Sequence, residues 1–153
     1  MTGGAIGTGH GHDWIIGSAV VTPITSNAAL VSATVNGING GHIQTGRGHD
    51  HAVGNVALTG GDDSTISSGF GIDVASIATG DGNDMVAGRI RSTAGNDSAV
   101  QINGGINGST IETGRGHDTV LALNVATAGG DSNVFANNGI NGSTIETGRG
   151  MTS

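Results

Sequence analysis

The chain contains 153 residues, of which 31 are glycine, one is proline and none is cysteine, and its formal net charge is −7. The absence of cysteine excludes disulfides and thiolate metal sites, and the acidic charge argues against nucleic acid or anionic membranes as partners. No run of 18 apolar residues is present that would insert into a membrane, and the first residues lack the basic and apolar segments of a signal peptide. Charged residues make up only 11% of the chain and aliphatic residues recur at regular spacing, which indicates a folded protein.

A Thr-Gly-x-Gly motif recurs along the chain. It begins at Thr8, Thr45, Thr79, Thr113 and Thr147. The last three intervals are 34 residues each, and the first is 37. Repetition of this kind is the signature of a solenoid, in which neighbouring coils see the same environment. We expect the three extra residues of the first interval to lie between Gly17 and Val35, in the stretch that contains Pro23.

Three turn-like clusters of Gly, Asn and Asp divide each unit, and between them lie short segments with strand-like alternation. In chain order, one unit contains the first corner "TGDGND", the segment "MVAGRIRST", the second corner "AGNDS", the segment "SAVQI", the third corner "GGINGST" and the segment "STIETG". Gly, Asn and Asp tolerate φ > 0, so each cluster predicts a sharp turn. Alternating β-branched residues predict strands, and a helical period is absent from the sequence.

The sequence therefore predicts an all-β parallel β-solenoid of the β-helix or β-roll type, with three strands and three corners per 34-residue coil and no helix. We expect about four coils in a single repeat domain, 1–153. The repeats are approximately 6–42, 43–76, 77–110, 111–144 and the partial 145–153. A layout with two coils of 17 residues per unit is disfavoured because each unit has three turn clusters.

Equivalent residues of stacked coils lie about 4.8 Å apart, so aliphatic residues should form buried columns. The predicted columns are Ile43, Ile77, Ile111 and Ile145, then Val86 and Val120, and then Ile66, Val100 and Val134. Such columns allow a chain with two Phe, one Trp and no Tyr to build a core.

The first corners resemble the haemolysin-type (RTX) calcium-binding repeat, GGxGxDxUx. The segments "TGRGHDTVL", "TGDGNDMVA" and "TGRGHDHAV" match it at both Gly positions, at the Asp and loosely at the apolar position. Thr replaces the first Gly, and the motif recurs every 34 residues instead of following the nine-residue tandem of that family.

The resemblance implies Ca²⁺ between turns stacked one coil apart, bound by carboxylates and backbone carbonyls. Calcium takes six to eight oxygen ligands. The candidate residues are Asp13, Asp50, Asp84 and Asp118, with Gly46, Gly48, Gly80, Gly82, Gly114 and Gly116, and, at the other corners, Asp63, Asp97, Asp131 and Asp73. The alternative is that these aspartates cap tight turns through Asx hydrogen bonds.

Three further columns have candidate roles. His12, His49 and His117 share a column, interrupted by Asn83, that either binds a transition metal or consists of solvated turn residues. Asp81 lies between Arg47 and Arg115 in a column that continues to Arg149, and it should relieve their repulsion. Threonine columns are typical of ice-binding faces. They are Thr45, Thr79, Thr113 and Thr147, and separately Thr59, Thr93 and Thr127.

No catalytic motif is present, so we expect no enzymatic activity. The last strand, "STIETGRG", repeats an internal one without a polar cap, which favours head-to-tail stacking of copies or a longer array. Apolar residues on outward faces, such as Trp14, Ile16, Leu121 and Leu123, favour lateral contacts. The expected partner is therefore a second copy, in a head-to-tail or lateral homo-oligomer.

These observations favour a structural solenoid, located outside the cell or on its surface. It would be a self-assembling fibre subunit or a rigid segment of a surface protein, stiffened by calcium. One alternative is an RTX-like calcium-binding module that aids secretion and folding of a larger exported protein. A second alternative is an ice-binding solenoid.

Overall fold

The computed structural model describes residues 2–22, 30–32 and 35–148. Within these ranges the chain forms 17 β-strands and no helix, and every pairing between strands is parallel. The strands stack as a β-solenoid of about four turns. The predicted all-β parallel solenoid without helix is confirmed for this part of the chain.

Each coil contributes one strand to each of four sheets. The first sheet contains β1 (Ala5–His10), β5 (His42–Arg47), β9 (Ser76–Asp81), β13 (Thr110–Gly114) and β17 (Thr144–Thr147). The second contains β2 (Trp14–Val21), β6 (His51–Thr59), β10 (Met85–Thr93) and β14 (Thr119–Thr127). The third contains β3 (Leu30–Ser32), β7 (Thr65–Ser67), β11 (Ala99–Ile102) and β15 (Asn133–Ala136). The fourth contains β4 (Ile38–Asn39), β8 (Phe70–Asp73), β12 (Gly104–Asn107) and β16 (Ile140–Asn141).

One circuit of the chain takes 34 residues. Ile43 pairs with Ile77, which is in register with Ile111, so a coil of 17 residues is excluded. Across the first interval the register offset falls from 37 residues between β2 and β6 to 35 between β3 and β7 and 34 between β4 and β8. Two extra residues therefore lie between Val21 and Leu30, and the third lies between Ser32 and Ile38. This agrees closely with the expected insertion, although Pro23 itself lies outside the described residues.

The coil has four strands where three were predicted, because part of the predicted third corner, "GGINGST", forms a strand of its own, β12 in the third coil. In the third coil, β11 and β12 are separated by Asn103 alone and belong to different sheets. After this bend the chain turns inward and lies against the second sheet. A segment with regular alternation of apolar and polar residues would have continued as a straight strand. Glycine in the fourth sheet instead allows the chain to approach the second sheet.

Glycine faces glycine where the fourth sheet contacts the second. A Cβ atom on Gly88 of β10 would lie 2.0 Å from the carbonyl oxygen of Gly105, and one on Gly54 of β6 would lie 2.0 Å from that of Gly71. Real side chains do not approach backbone this closely, so glycine is needed at these positions, although Ala122 occupies the in-register position of β14 in the last coil, beside Gly139. The contact divides the interior into two separate cores.

The first core lies between the first, second and fourth sheets, and the second lies between the second and third. The first contains Ile15, Ile38, Ile43, Ala52, Ile72, Ala75, Ile77, Val86, Ile106 and Ile111. The second contains Val56, Leu58, Ile66, Ile90, Ala94, Val100 and Ile102. The predicted aliphatic columns are confirmed, and they become partly exposed at Val120, Val134 and Ile145 because no described coil covers the last one.

Replacing Gly88 by alanine should lower the free energy of unfolding by about 1–3 kcal/mol, the usual cost of overpacking a core. The new methyl group would force the second and fourth sheets apart. Urea denaturation followed by circular dichroism measures the loss. Gly7→Ala is the matched control, since its Cβ would meet only the Gln44 carbonyl oxygen at 3.9 Å. Equal stability of the two variants would contradict the proposed contact.

Candidate functional site

The first corner links the first sheet to the second, and it brings together the four aspartates predicted from the TGxGxD motif. Asp13, Asp50, Asp84 and Asp118 occupy equivalent positions just before strands β2, β6, β10 and β14. Asp50 and Asp84 are 0% and 2% exposed, while Asp13 and Asp118 are half-buried. The carboxylates therefore face the interior of the solenoid instead of solvent.

One carboxylate oxygen of Asp50, of Asp84 and of Asp118 is used to hold the preceding coil. The backbone N–H of Asp13 donates to Asp50 Oδ1 at 2.9 Å, that of Asp50 to Asp84 Oδ1 at 2.9 Å, and that of Asp84 to Asp118 Oδ1 at 3.0 Å. Hydrogen bonds to ionised acceptors are stronger than neutral ones. This aspartate ladder therefore ties the corners of four successive coils together.

The second carboxylate oxygen differs between outer and middle coils. The Thr8 hydroxyl donates to Asp13 Oδ2 at 2.6 Å, and the Thr113 hydroxyl donates to Asp118 Oδ2 at 2.7 Å. In the middle coils, the Thr45 hydroxyl donates instead to the Thr79 carbonyl oxygen at 2.8 Å. Asp50 Oδ2 and Asp84 Oδ2 are left buried without a hydrogen-bond partner.

The pKa of the Asp84 carboxyl is raised above its ordinary value, chiefly because burial disfavours the charged form. The negative charges of Asp50 and Asp118 act in the same direction. The hydrogen bond from the Asp50 N–H opposes them, as does the Thr79 hydroxyl, which lies beside the Asp84 carboxylate although it donates to the Thr113 carbonyl oxygen. The buried charge of Asp84 in the middle of the ladder therefore lowers the stability of the folded protein at neutral pH.

The glycines of the TGxGxD motif allow the corners to stack closely. A Cβ atom on Gly82 would lie 1.5 Å from the carbonyl oxygen of Gly48 in the coil before it. The same relation joins Gly80 to Gly46, Gly114 to Gly80 and Gly116 to Gly82. These carbonyl oxygens therefore lie against the Cα atoms of the next coil.

The first corner supplies fewer free oxygen ligands than calcium requires. Calcium takes six to eight oxygens, whereas Oδ1 of Asp50, Asp84 and Asp118 already accepts a backbone N–H. Within the described ranges, His, Asp and Glu side chains do not form a group of three or more placed to hold a metal ion. In this arrangement the corner offers the unpartnered Oδ2 atoms of Asp50 and Asp84, fewer than a full calcium shell.

The aspartates predicted at the second corner belong to a different part of the coil and serve as turn residues. Asp63, Asp97 and Asp131 have φ of 54°, 53° and 55° and are exposed. The inter-coil bonds come from the preceding position, where Asp62 Oδ1 accepts the Asn96 N–H at 2.7 Å. Sequence reasoning missed Asp62, although its place directly before the register aspartate was a usable signal.

At the third corner, Asp73 lies in a row of amides. Its Oδ2 accepts from the Asn36 side chain at 2.9 Å and its Oδ1 accepts from the Asn107 side chain at 2.8 Å. Asn141 continues the row by donating to Asn107 Oδ1 at 3.2 Å. Asn39 is in backbone register with Asp73 as predicted, but the side-chain partner is Asn36.

The histidine column also forms a ladder. His12 Nδ1 accepts the His49 N–H at 2.9 Å, His49 Nδ1 accepts the Asn83 N–H at 2.8 Å, and Asn83 Oδ1 accepts the His117 N–H at 2.9 Å. Asn83 thus continues the histidine row by supplying the same acceptor. One ring nitrogen of His12 and one of His49 is therefore already bound.

The neighbouring arginine column contains the predicted ion pair, with Arg47 Nε 3.9 Å from Asp81 Oδ2, both side chains being exposed. Arg149 lies outside the described residues. The threonine column at the first corner faces inward, and Thr45, Thr79 and Thr113 are fully buried. Thr59, Thr93 and Thr127 are exposed.

Comparisons of the chain with protein-family models, with curated proteins and with solved structures find no match. In the part of the chain that the structure describes, no helix is long and apolar enough to cross a membrane.

Replacing Asp84 by asparagine should raise the free energy of unfolding at pH 7. The amide keeps Oδ1 as the acceptor for the Asp50 N–H, while the buried charge is removed. Because the folded-state pKa is raised, the native protein should gain stability as the pH falls through that pKa and lose it as the pH rises. Urea denaturation at several pH values measures both effects.

The matched control is Asp97→Asn, at an exposed turn position. It should leave the pH dependence of stability unchanged. The expectation is contradicted if Asp84→Asn is less stable at pH 7 and keeps the native pH profile. The buried carboxylate would then not lower the free energy of unfolding.

Proposed function

We propose that this chain is a rigid structural element, a rod segment of an extracellular or cell-surface protein that associates with copies of itself. The observation that carries the proposal is that carboxylate, amide and imidazole side chains at the corners are bound into ladders along the solenoid axis. Carboxylates, amides and imidazoles each join one coil to the next, as at Asp50, Asp73 and His49. The proposal assigns no reaction to the chain.

Ladders of this kind favour a mechanical role. Each coil is joined to its neighbour by parallel backbone pairing on four sheets and by side-chain bonds at the corners. Bending the rod would stretch all these contacts on one side at once. A side chain committed to a neighbouring coil is also not free to act on a substrate.

An extracellular or cell-surface location is supported by sequence features rather than by geometry. The acidic chain has no cysteine, and its first corners resemble a calcium-binding repeat of exported proteins. Self-association is supported by large apolar side chains on the surface. Trp14 is 63% exposed, Val20 69% and Phe135 70%. Contiguous exposed apolar residues mark interaction sites.

Removal of one whole coil tests whether the chain is a modular rod. Deletion of residues 77–110 joins Ser76 to Ile111, which is the residue in register with Ile77. The shortened chain should keep its β-sheet circular dichroism spectrum and lose part of its unfolding free energy. Electron micrographs of the concentrated protein should show ordered assemblies for both chains.

Deletion of residues 77–93, half of the 34-residue period, is the control. It places strands of different sheets over one another, and the chain should not fold. If the whole-coil deletion also abolished folding, the modular rod would be rejected.

A second candidate function, a calcium-binding module that aids export and folding of a larger protein, is favoured by one observation. Asp50 Oδ2 and Asp84 Oδ2 are buried without a partner. A cation beside them would offset the cost of burying these charges. The resemblance of the first corners to calcium-binding repeats points the same way.

Calcium titration tests this second candidate. At ten times its Kd, calcium should add about 1.4 kcal/mol of stability and raise the Tm by roughly 3–6 °C. EDTA should reverse the rise, and Asp84→Asn should abolish it. An unchanged Tm in the native chain would remove the calcium module and leave the structural rod in place.

A further inference from the structure

The outer face of the second sheet has apolar side chains on each of its four strands, although Val53 and Ala87 of the middle strands are buried. Because side chains alternate along a strand, the outward positions are those not in the two cores. One row of this face consists of Ile16, Val53, Ala87 and Leu121, which pair in register across the four strands. The neighbouring rows are Ser18, Asn55, Arg89 and Leu123, and then Val20, Ala57, Arg91 and Val125.

Exposure along this face is greatest in its first and last strands. Ile16 and Val20 of β2 are 58% and 69% exposed, and Leu121 and Leu123 of β14 are 38% and 45% exposed. In contrast, Val53 and Ala87 of the middle strands are covered by their neighbours. The face is therefore closely packed along the row of Val53 and Ala87 and has exposed apolar side chains in its first and last strands.

Basic residues lie between the two apolar ends. Arg89 and Arg91 belong to β10, and the Nε atom of Arg89 is buried without a hydrogen-bond partner. The groove beside them has a volume of about 270 Å³ and is lined by Asn55, Val56, Ala57, Arg89, Ile90, Arg91, Leu123 and Val125. The outward positions of the second sheet include no acidic residue.

We propose that this face docks onto the same face of a second copy, with the two solenoid axes antiparallel. This inference rests on the self-association in the proposed function and specifies its surface and geometry. A two-fold axis along the strand direction brings β2 of one copy over β14 of the other, and β6 over β10. Such an isologous contact closes on itself.

The antiparallel arrangement brings apolar side chains together and gives Arg89 a polar partner, while Arg91 comes to lie over Ala57. Ile16 comes to lie over Leu121 of the second copy and Val20 over Val125, while Trp14, which is 63% exposed, comes to lie over Thr119. Arg89 comes to lie over Asn55, whose side-chain oxygen is a hydrogen-bond acceptor. The alternative two-fold axis, along the solenoid, would place Arg89 over its own copy, and facing like charges would repel.

The size of the face is compatible with a specific contact. Nine-residue strands are about 30 Å long, and four of them at about 4.8 Å spacing give a width of about 19 Å. Each copy would therefore cover about 570 Å², or about 1,100 Å² in total, which lies just above the ≈ 1,000 Å² expected of a specific interface. We expect a moderate, concentration-dependent dimer.

Engineered disulfides distinguish the two arrangements, because the chain contains no cysteine. Ser18 and Leu123 both occupy the central outward row, in β2 and β14. Full-length Ser18→Cys and Leu123→Cys chains, one carrying a mass tag, are mixed and oxidised gently. The antiparallel dimer should give only the mixed disulfide, which appears at its own mass on a non-reducing gel.

The other outcomes separate the inference from the proposed function. Disulfides only between identical variants would overturn the antiparallel geometry. If no disulfide forms while sedimentation still shows association, this face is not the interface, but the self-associating rod survives. If the chain is monomeric at all concentrations, both the inference and the self-association fail.

A charge substitution provides an independent test. The Ile16→Glu, Leu121→Glu double variant places carboxylates opposite one another in the dimer and should raise its dissociation constant at least tenfold. Both positions are exposed, so the circular dichroism spectrum should be unchanged. The control is Gln44→Glu, Gln101→Glu, which adds the same charge on the outer faces of the first and third sheets. Equal dissociation constants for the two variants would overturn the proposal.

Discussion

The close approach of successive coils is the constraint on which the rest of this structure depends. At the first corner the carbonyl oxygen of one coil lies where the next coil would carry a Cβ atom, as between Gly48 and Gly82. Inside the solenoid, Gly88 and Gly105 impose the same condition between two sheets. The high glycine content is therefore not a sign of disorder. It is the requirement for stacking backbone on backbone in two directions, along the axis and across the interior.

Close stacking also explains why the polar residues form rows. Once coils lie at the spacing of hydrogen-bonded strands, a side chain at a corner can reach the backbone of the neighbouring coil. Asp50, Asn96 and His49 all accept a backbone N–H in this way, although their side chains differ. These positions share a hydrogen-bond acceptor that lies within reach of a backbone N–H in the neighbouring coil. Hence Asn83 can continue a row of histidines, and Asp73 can lie within a row of asparagines.

The sequence was sufficient to predict the fold class, the 34-residue circuit and the aliphatic columns, because each follows from a period that is visible in the letters. It was not sufficient for the fourth strand, which follows a bend at the start of the predicted third corner. That bend depends on Gly71 and Gly105 meeting Gly54 and Gly88 across the interior, a contact between positions half a circuit apart. The pattern of residues along one strand carries no trace of such a contact.

The candidate site was predicted in part. The spacing of the TGxGxD motif predicted that four aspartates lie together. The amino-acid sequence does not show that Asp50 and Asp84 point inward. The direction of a side chain at a corner is set by turn geometry, and here the turn directs the carboxylate to the N–H of the preceding coil. At the second corner the residue that bonds is Asp62, one position before the aspartate of the register. Periodicity aligns Asp62 with Asn96 as it aligns Asp63 with Asp97. It therefore marks both positions but does not show which side chain bonds to the next coil.

The constant separation of the bonded residues has a kinetic consequence. Inter-coil hydrogen bonds join residues 33 to 38 positions apart, whichever coil they belong to. Loop closure therefore costs the same at every step, and an array of any length would contain no contact between distant parts of the chain. Each finished coil exposes the N–H groups and acceptors that the following one needs. Folding can thus advance from coil to coil while the remainder of the polypeptide is still being made.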